Sequence, residues 1–258
     1  MSEINVGIVG TRFMGRAHSH AYLDVARFFD LPLAPVMRAA CGRDPERLAS
    51  FARQFGWQTT ETSWERLVAR SDIELVDICT SNSTHMPIAV AAAAAGKHIL
   101  CEKPLARNAD EASRMLEAAE KAGVCHMVAF NYRRAPAVIL AREIIQQGRL
   151  GRIFHFDAAY YQDWLVDPSF PFTWRHDAKE AGSGAHGDMH SHLVDLARYL
   201  VGEFEAVCGA QEIFIKERPR SDASGTIQVT ADDATYFLAR FRNGAMGSFH
   251  ATRVAAGR

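Results

Sequence analysis

The sequence has no apolar run long enough to cross a bilayer, no Cys-x-x-Cys pair and almost no net charge. Each absence removes a class of function. Lys and Arg total 29 and Asp and Glu 30, leaving −1 over 258 residues. Neither a nucleic-acid footprint nor attraction to an anionic membrane is expected from such a balance. The five cysteines, at 41, 79, 101, 125 and 208, stand mostly in apolar strand-like runs. That suits buried thiols in a reducing cytosol better than disulfides. The first residues, Met1-Ser2-Glu3-Ile4-Asn5, carry no basic segment followed by an apolar core. No secretory signal is expected, and the cytoplasm is the expected compartment.

What the chain does carry is alternation. Residues 4–10 form a short apolar run ending in Gly10, and a helical pattern opens at Met14-Gly15 and continues to about residue 29. Strand, glycine turn and helix begin a dinucleotide-binding unit, in which helix-start N–H groups point at a pyrophosphate and glycines let the backbone approach it. Gly10, position 12 and Gly15 keep the GxGxxG frame, but Arg12 stands where the middle glycine would be. Its side chain either turns outward or meets the phosphates with its guanidinium. A second strand, 36–41, runs into Gly42-Arg43-Asp44. A NAD-specific fold would place an acid at that terminus to hold the ribose hydroxyls; Gly42 followed by Arg43 suits a 2′-phosphate, so NADP(H) is favoured over NAD(H). The competing reading makes Arg43 a solvated loop residue and Asp44 the cap of the next helix.

Helices are expected over 45–55 and, capped by Ser63, over 64–70. The strand 74–80 ends in the polar turn Thr80-Ser81-Asn82-Ser83-Thr84-His85. Its small hydroxyl and amide side chains can border a nicotinamide ribose, while His85 either joins them or caps the alanine-rich helix ending at Gly96. The run 98–101 then delivers Glu102-Lys103-Pro104 at the end of a buried strand. Ligands of open parallel sheets bind outside the carboxyl ends of the strands, so Glu102 and Lys103 stand where chemistry is done. Pro104 bars Lys103 from helix, and a cis bond there would aim Lys103 sharply. A helix over 108–121 and a strand over 124–130, ending at Asn131, complete a doubly wound parallel sheet.

After a bridging helix, 135–147, the pattern changes. A longer strand over 153–161 precedes an aromatic, proline-containing loop, 163–183, with Trp164, Phe170, Phe172 and Trp174; loops of this length are usually functional or disordered. Strands over 204–216, 234–242 and 245–254, the last two joined by the hairpin signal Asn243-Gly244, predict a mostly antiparallel sheet. One helix, 186–201, would pack on it. Within that helix Asp188 and His192 are four apart and share a face. A histidine accepts a proton near neutral pH, and a neighbouring carboxylate orients it. His186 and His190 are also four apart, but the glutamate of a zinc-protease motif is missing and no further ligand is evident, so no metal is expected.

Residues 7–15 with Met14-Gly15 and His18, the turn 80–85, Glu102-Lys103-Pro104, and 182–192 followed by Leu193-Val194-Asp195 span nearly the whole chain. In that order they resemble the Gfo/Idh/MocA family of nicotinamide-dependent sugar and polyol oxidoreductases. The resemblance implies an N-terminal Rossmann domain, 1–131, and a C-terminal α+β domain, 132–258, with an open, mainly antiparallel sheet. It implies cofactor contacts at Gly10, Arg12, Phe13 and Met14, at Arg43, at Thr80, Asn82 and His85, at Glu102 and Lys103, and at Asn131. Trp174 and Arg175 would reach the cofactor from the second domain. Lys103, Asp188 and His192 fall on the family's catalytic positions and, with His190, on its substrate positions. His192 would take the proton of a secondary hydroxyl as hydride leaves for the nicotinamide. Lys103 would donate to the same oxygen and disfavour protonated His192, and Asp188 would bind a neighbouring hydroxyl. A sugar, inositol or related cyclic polyol is the implied substrate, and a homodimer or homotetramer the implied assembly.

The departures from the family pattern are Arg12 for the middle glycine, Gly42 for the ribose-binding acid, and His190 where glycine is common, which would narrow the substrate pocket. The chain also reaches Arg258 in an edge-like strand where family members continue, so the second domain is expected to be truncated. A NAD-assisted glycoside hydrolase and a non-catalytic dinucleotide sensor are the competing functions.

Overall fold

The computed structural model describes residues 2–222 and 224–257, and the chain divides into two compact units, Met1–Ala129 and Phe130–Arg258. The first unit alternates strand and helix. Its elements are β1 (Ser2–Val9), α1 (Phe13–Phe28), β2 (Leu33–Cys41), α2 (Pro45–Phe55), β3 (Thr59–Glu61), α3 (Trp64–Ala69) and β4 (Leu75–Ile78). They continue with α4 (His85–Ala94), β5 (His98–Cys101), α5 (Ala109–Ala122) and β6 (His126–Val128). The strands form one parallel sheet in the order β3-β2-β1-β4-β5-β6. The order reverses beside β1, so the carboxyl ends of β1, β4 and β5 lie side by side at the switch point where such sheets take ligands. Val6, Ile8, Val76 and Ile78 are fully enclosed between helical layers on both faces. Each such side chain contributes about 1.5–3 kcal/mol by leaving water. Cap chemistry sets the helix limits. Asp44, Ser63 and Asn108 accept backbone N–H groups at the starts of α2, α3 and α5, and Gly56 and Gly123 end α2 and α5 in the left-handed conformation.

The second unit contains α6 (Pro136–Gln146), β7 (His155–Tyr161), α7 (Ala178–Ala181), a π-helical turn (His186–His190) and α8 (Ser191–Leu200). It continues with β8 (Phe204–Glu212), β9 (Glu217–Pro219), β10 (Thr226–Gln228), β11 (Ala234–Phe241) and β12 (Met246–Thr252). Its main sheet runs β7-β12-β11-β8, antiparallel except for the β7–β12 pair. Leu193 and Ala197 of α8 pack on Phe241 and Phe249 of that sheet. Among the described residues, no helix is long and apolar enough to cross a membrane.

Three features depart from the reading of the sequence. The short strands β3, β9 and β10 were not expected; each has only three residues, too few to show a period. The expected continuous helix over 186–201 opens instead with the π turn, a wider winding that changes which side chains share a face. The last strand, β12, ends at Thr252 and lies inside the sheet between β7 and β11, so it is not an edge; Arg258 lies outside the described residues.

Candidate active site

At the end of β1 the chain turns on Gly10, whose φ of +116° only glycine adopts freely. Gly15, in the first turn of α1, lies so close to that turn that a Cβ would meet the Gly10 carbonyl oxygen at 2.0 Å. These two glycines thus press the helix start onto the strand end. Arg12, the residue preceding α1, is exposed and supplies no side-chain cap, whereas Asp44, Ser63 and Asn108 do so for α2, α3 and α5. The first N–H groups of α1 therefore remain open to an external acceptor, which is what a pyrophosphate needs. Phe13 is 79% exposed beside them, while Met14 packs inward on the cluster around Ile8 and Phe51. At the end of β2, Arg43 is exposed and Asp44 is committed to Glu46 and Arg47 as the α2 cap. The close approach of Thr11 leaves a Cβ on Gly42 only 3.0 Å of room. The loop residues present fit a dinucleotide.

The ends of β4 and β5 supply the polar residues. Thr80 is half-buried and Asn82 buried in a 3-10 turn, Asn82–Thr84. His85 does not cap α4. It is fully buried, with Nε2 3.2 Å from the Thr80 carbonyl and Nδ1 3.1 Å from that of Pro104. Burial lowers its pKa. It joins the β4 turn to the turn that carries Lys103. Glu102 is 5% exposed and faces inward, accepting the backbone N–H of Lys103 at 3.0 Å. The Lys103–Pro104 bond is cis, and the Lys103 side chain is half-buried.

In the second unit the π turn and α8 carry Asp188, His190 and His192. Their start is fixed from a distance by Asp232, whose carboxylate accepts N–H groups of Gly184 at 2.6 Å and His186 at 2.8 Å. A Cβ on Gly184 would come within 1.8 Å of the Asp232 carbonyl oxygen, so only glycine fits there. Arg253, fully buried, donates to the Asp232 carbonyl and to that of Arg175, tying the histidine helix to the loop of Trp174 and Arg175. The exposed guanidinium of Arg175 lies over the Trp174 ring. Nothing in the sequence pattern pointed to Asp232 or Arg253, because the groups they tie together are main-chain groups far along the chain.

His192 is buried between aromatic rings. Tyr132 stacks on it at 4.0 Å between centroids and 13° between planes, and Phe130 meets it edge-on. The Tyr132 hydroxyl bonds that of Tyr160 at 2.9 Å, and burial together with that bond holds the Tyr132 phenol up at about 12. Asn131 is exposed in the same short turn. Arg133, beyond it, makes a bidentate pair with Asp195 of α8. Asp188 is half-buried. His190 is fully buried, edge-on to Phe237, and burial pushes its pKa down to about 4. Two positions apart, His190 and His192 leave opposite sides of the helix, as their spacing requires.

Comparison with known proteins agrees with this geometry. Residues 4–130 match the description "Oxidoreductase family, NAD-binding Rossmann fold", and residues 138–258 match the GFO/IDH/MocA C-terminal domain. A levoglucosan dehydrogenase from Pseudarthrobacter phenanthrenivorans is 46% identical over all of this chain and 70% of its own length. A 1,5-anhydro-D-fructose reductase from Ensifer adhaerens is 33% identical over 80% of this chain and 58% of its own length. The solved structure of levoglucosan dehydrogenase with NADH superposes with a TM-score of 0.96 at 47% identity, covering 100% of this chain and 68% of that one. These relatives are dehydrogenases and reductases of sugars, and they lend no support to the glycosidase or sensor alternatives. The chain belongs to the Gfo/Idh/MocA family of NAD-dependent sugar and polyol oxidoreductases.

Proposed function

We propose that the protein oxidises a secondary hydroxyl of an anhydro sugar, levoglucosan being the first candidate, with NAD as acceptor. The observation that carries this reading is the near-half identity with levoglucosan dehydrogenase along the entire chain. Two further features support it: the open N–H groups at the start of α1 and the basic and imidazole side chains on the motif positions. When bound, the nicotinamide accepts the carbon-bound hydrogen as hydride. The residues of this chain handle the proton and the orientation. Lys103, with three donors and no acceptor, donates to the substrate oxygen. His192 takes the hydroxyl proton on an imidazole nitrogen as the carbonyl forms, and Asp188 holds a neighbouring hydroxyl. Gly10, Arg12 and Phe13 receive the pyrophosphate side of the cofactor, and Thr80, Asn82 and Asn131 border its nicotinamide side. His85 and Glu102 act from beneath, by shaping the turns. Trp174 and Arg175 would add contacts to the bound cofactor.

A second cofactor reading, NADP, is favoured by exposed Arg43 directly after Gly42, where a ribose-binding acid would stand. The sheet face opposite α8 exposes Tyr161, Tyr236 and Leu238, which supports a homodimer or homotetramer. Five free cysteines support a cytoplasmic location. The test is turnover of a panel of anhydro sugars, aldoses and inositols with NAD and with NADP. Lys103→Met and His192→Ala are each expected to lose about 10²–10⁴-fold in kcat. Near-native turnover by both variants would overturn the assigned roles.

A further inference from the structure

One group of buried charges in the first unit takes no direct part in the proton and hydride chemistry. His18, on α1, lies between two strand ends: Nδ1 is 2.9 Å from Asp77 Oδ2, and Nε2 is 2.9 Å from Glu102 Oε1. Asp77 is fully buried on β4 and Glu102 nearly so. The Tyr22 hydroxyl, one turn further along α1, donates to Asp77 at 3.0 Å, and the Cys79 thiol donates to it at 3.4 Å. A neutral imidazole donates from one nitrogen only, but here both nitrogens face carboxylate oxygens. Two donors are required, so His18 is an imidazolium. Burial opposes that charge, but the bonds to Asp77 and Glu102 and the charges of both outweigh it and lift the pKa to about 10. His18, Asp77 and Cys79 also lie close enough to hold a metal. Their mutual hydrogen bonds already satisfy them, however, and the proton accounts for the geometry without an ion.

The network reaches the Lys103 turn through Glu102. Glu102 receives His18 through Oε1, and its other oxygen, Oε2, accepts the backbone N–H of Lys103. On the far side of the same turn the His85 ring meets the carbonyls of Pro104 and Leu105. We propose that His18 is a positioning residue for Lys103. Bridged between Asp77 and Glu102, it holds the Glu102 carboxylate against the Lys103 main chain and so sets the direction in which the Lys103 side chain leaves β5. This rests on the reading of Lys103 as the donor to the substrate oxygen. Without the imidazolium, two buried carboxylates face each other uncompensated. One must then take a proton or turn away, and the Lys103 turn loses its tether.

The experiment compares His18→Gln, Glu102→Gln, the double variant and Lys103→Met in the full chain. The assay uses NAD and the panel sugar with the highest turnover, and active enzyme is counted by NADH fluorescence titration. His18→Gln is expected to lower kcat per NADH-binding site by on the order of 10–100-fold. The KM for NAD should stay within about threefold, because the Gly10–Gly15 cradle is untouched. The double variant should be no worse than the poorer single, since both substitutions cut one tether. A merely structural role would reduce the count of NADH sites but leave kcat per site alone. Turnover of His18→Gln within about twofold of wild type, or additive losses in the double variant, would overturn the proposal. Should His18→Gln not fold, Glu102→Gln reads the same tether, and undiminished kcat there overturns it equally. Failure of the underlying reading is separate: it shows as undiminished turnover in Lys103→Met.

Discussion

His18 in the first unit and His176 and His190 in the second are held in opposite ways. In the first, His18 sits between two carboxylates and keeps its proton to about pH 10. In the second, burial pushes His176 and His190 down to about 4, with Arg253 and Arg218 adding repulsion at His176 and His186 at His190. Among the described residues, Nε2 of His176 finds no hydrogen-bond partner. The cause is where counter-charge is available. Parallel strands end side by side, so β4 and β5 deliver Asp77 and Glu102 to the same point. In the second unit the buried acid at the start of the histidine helix, Asp232, spends its oxygens on the N–H groups of Gly184 and His186 and on the Thr235 hydroxyl, and Asp195 on that helix is paired with Arg133. His18 therefore serves as a charged bridge, whereas His190 packs against Phe237 and His176 accepts the Thr173 N–H through Nδ1.

The sharpest way to break this comparison is at the acids themselves. Asp232→Ala removes the receptor for three donors and leaves the fully buried Arg253 with less compensation. The expected cost is about 3–5 kcal/mol, measured by denaturant unfolding of the second unit. Asp232→Asn, which keeps one acceptor oxygen, should cost visibly less. Equal, small losses would mean that the histidine helix is held by packing alone.

The histidines themselves give the next largest effect, with opposite signs in pH. The folded pKa of His18 is raised above 6.5, so its stabilisation is complete below that value and is lost as pH climbs towards 10. The shift corresponds to on the order of 5 kcal/mol. The stability gap between wild type and His18→Gln should therefore be widest below pH 6.5 and close by about half a unit above the folded pKa. For His176 and His190 the folded pKa is depressed to about 4, so the unfolded chain binds more protons between 6.5 and 4. Stability must then fall on acidification across that window, by up to about 3 kcal/mol per histidine. His190→Leu should flatten that acid limb and leave the alkaline one unchanged. An alkaline limb identical in wild type and His18→Gln would show that His18 carries no excess proton.

How much of this was legible in the sequence follows the same division. In the first unit most of the proposed site residues stand at or just past a strand end, so the runs ending at Gly10, Thr80 and Cys101 were enough to locate the glycine turn and Lys103. Even there, His18 was noticed only as part of a motif, because its partners lie 59 and 84 residues away. In the second unit the spacing of Asp188 and His192 assumed α-helical winding, and the π turn intervenes. Asp232, Arg253 and Arg218 act on carbonyl and N–H groups that any residue could supply, so no side-chain pattern marks them. Fully buried Arg218 donates to the carbonyls of Leu165 and Asp167 and thereby orders the loop over 163–183. The sequence showed only that loop's length and aromatic content.

The smallest expected effect asks whether the ring beside His192 is more than packing. Tyr132 lies 4.0 Å from His192 and nearly parallel to it, so a protonated imidazole would rest on the electron-rich face of the phenol. Tyr132→Phe keeps that face and loses only the bond to Tyr160, whereas Tyr132→Leu removes the face altogether. A cation–π contribution of about 0.5–1 kcal/mol corresponds to roughly half a pH unit. The limb of the kcat/KM profile belonging to His192 should thus move to lower pH by about that amount in Tyr132→Leu, and stay in place in Tyr132→Phe. Removing the aromatic face makes the imidazolium harder to form, which fixes the direction. A limb that moves equally in both variants would shift the effect from the ring face to the Tyr132–Tyr160 hydroxyl pair. The polar character of the His192 pocket would then come from that pair, as the Asp77–Glu102 pair supplies it at His18.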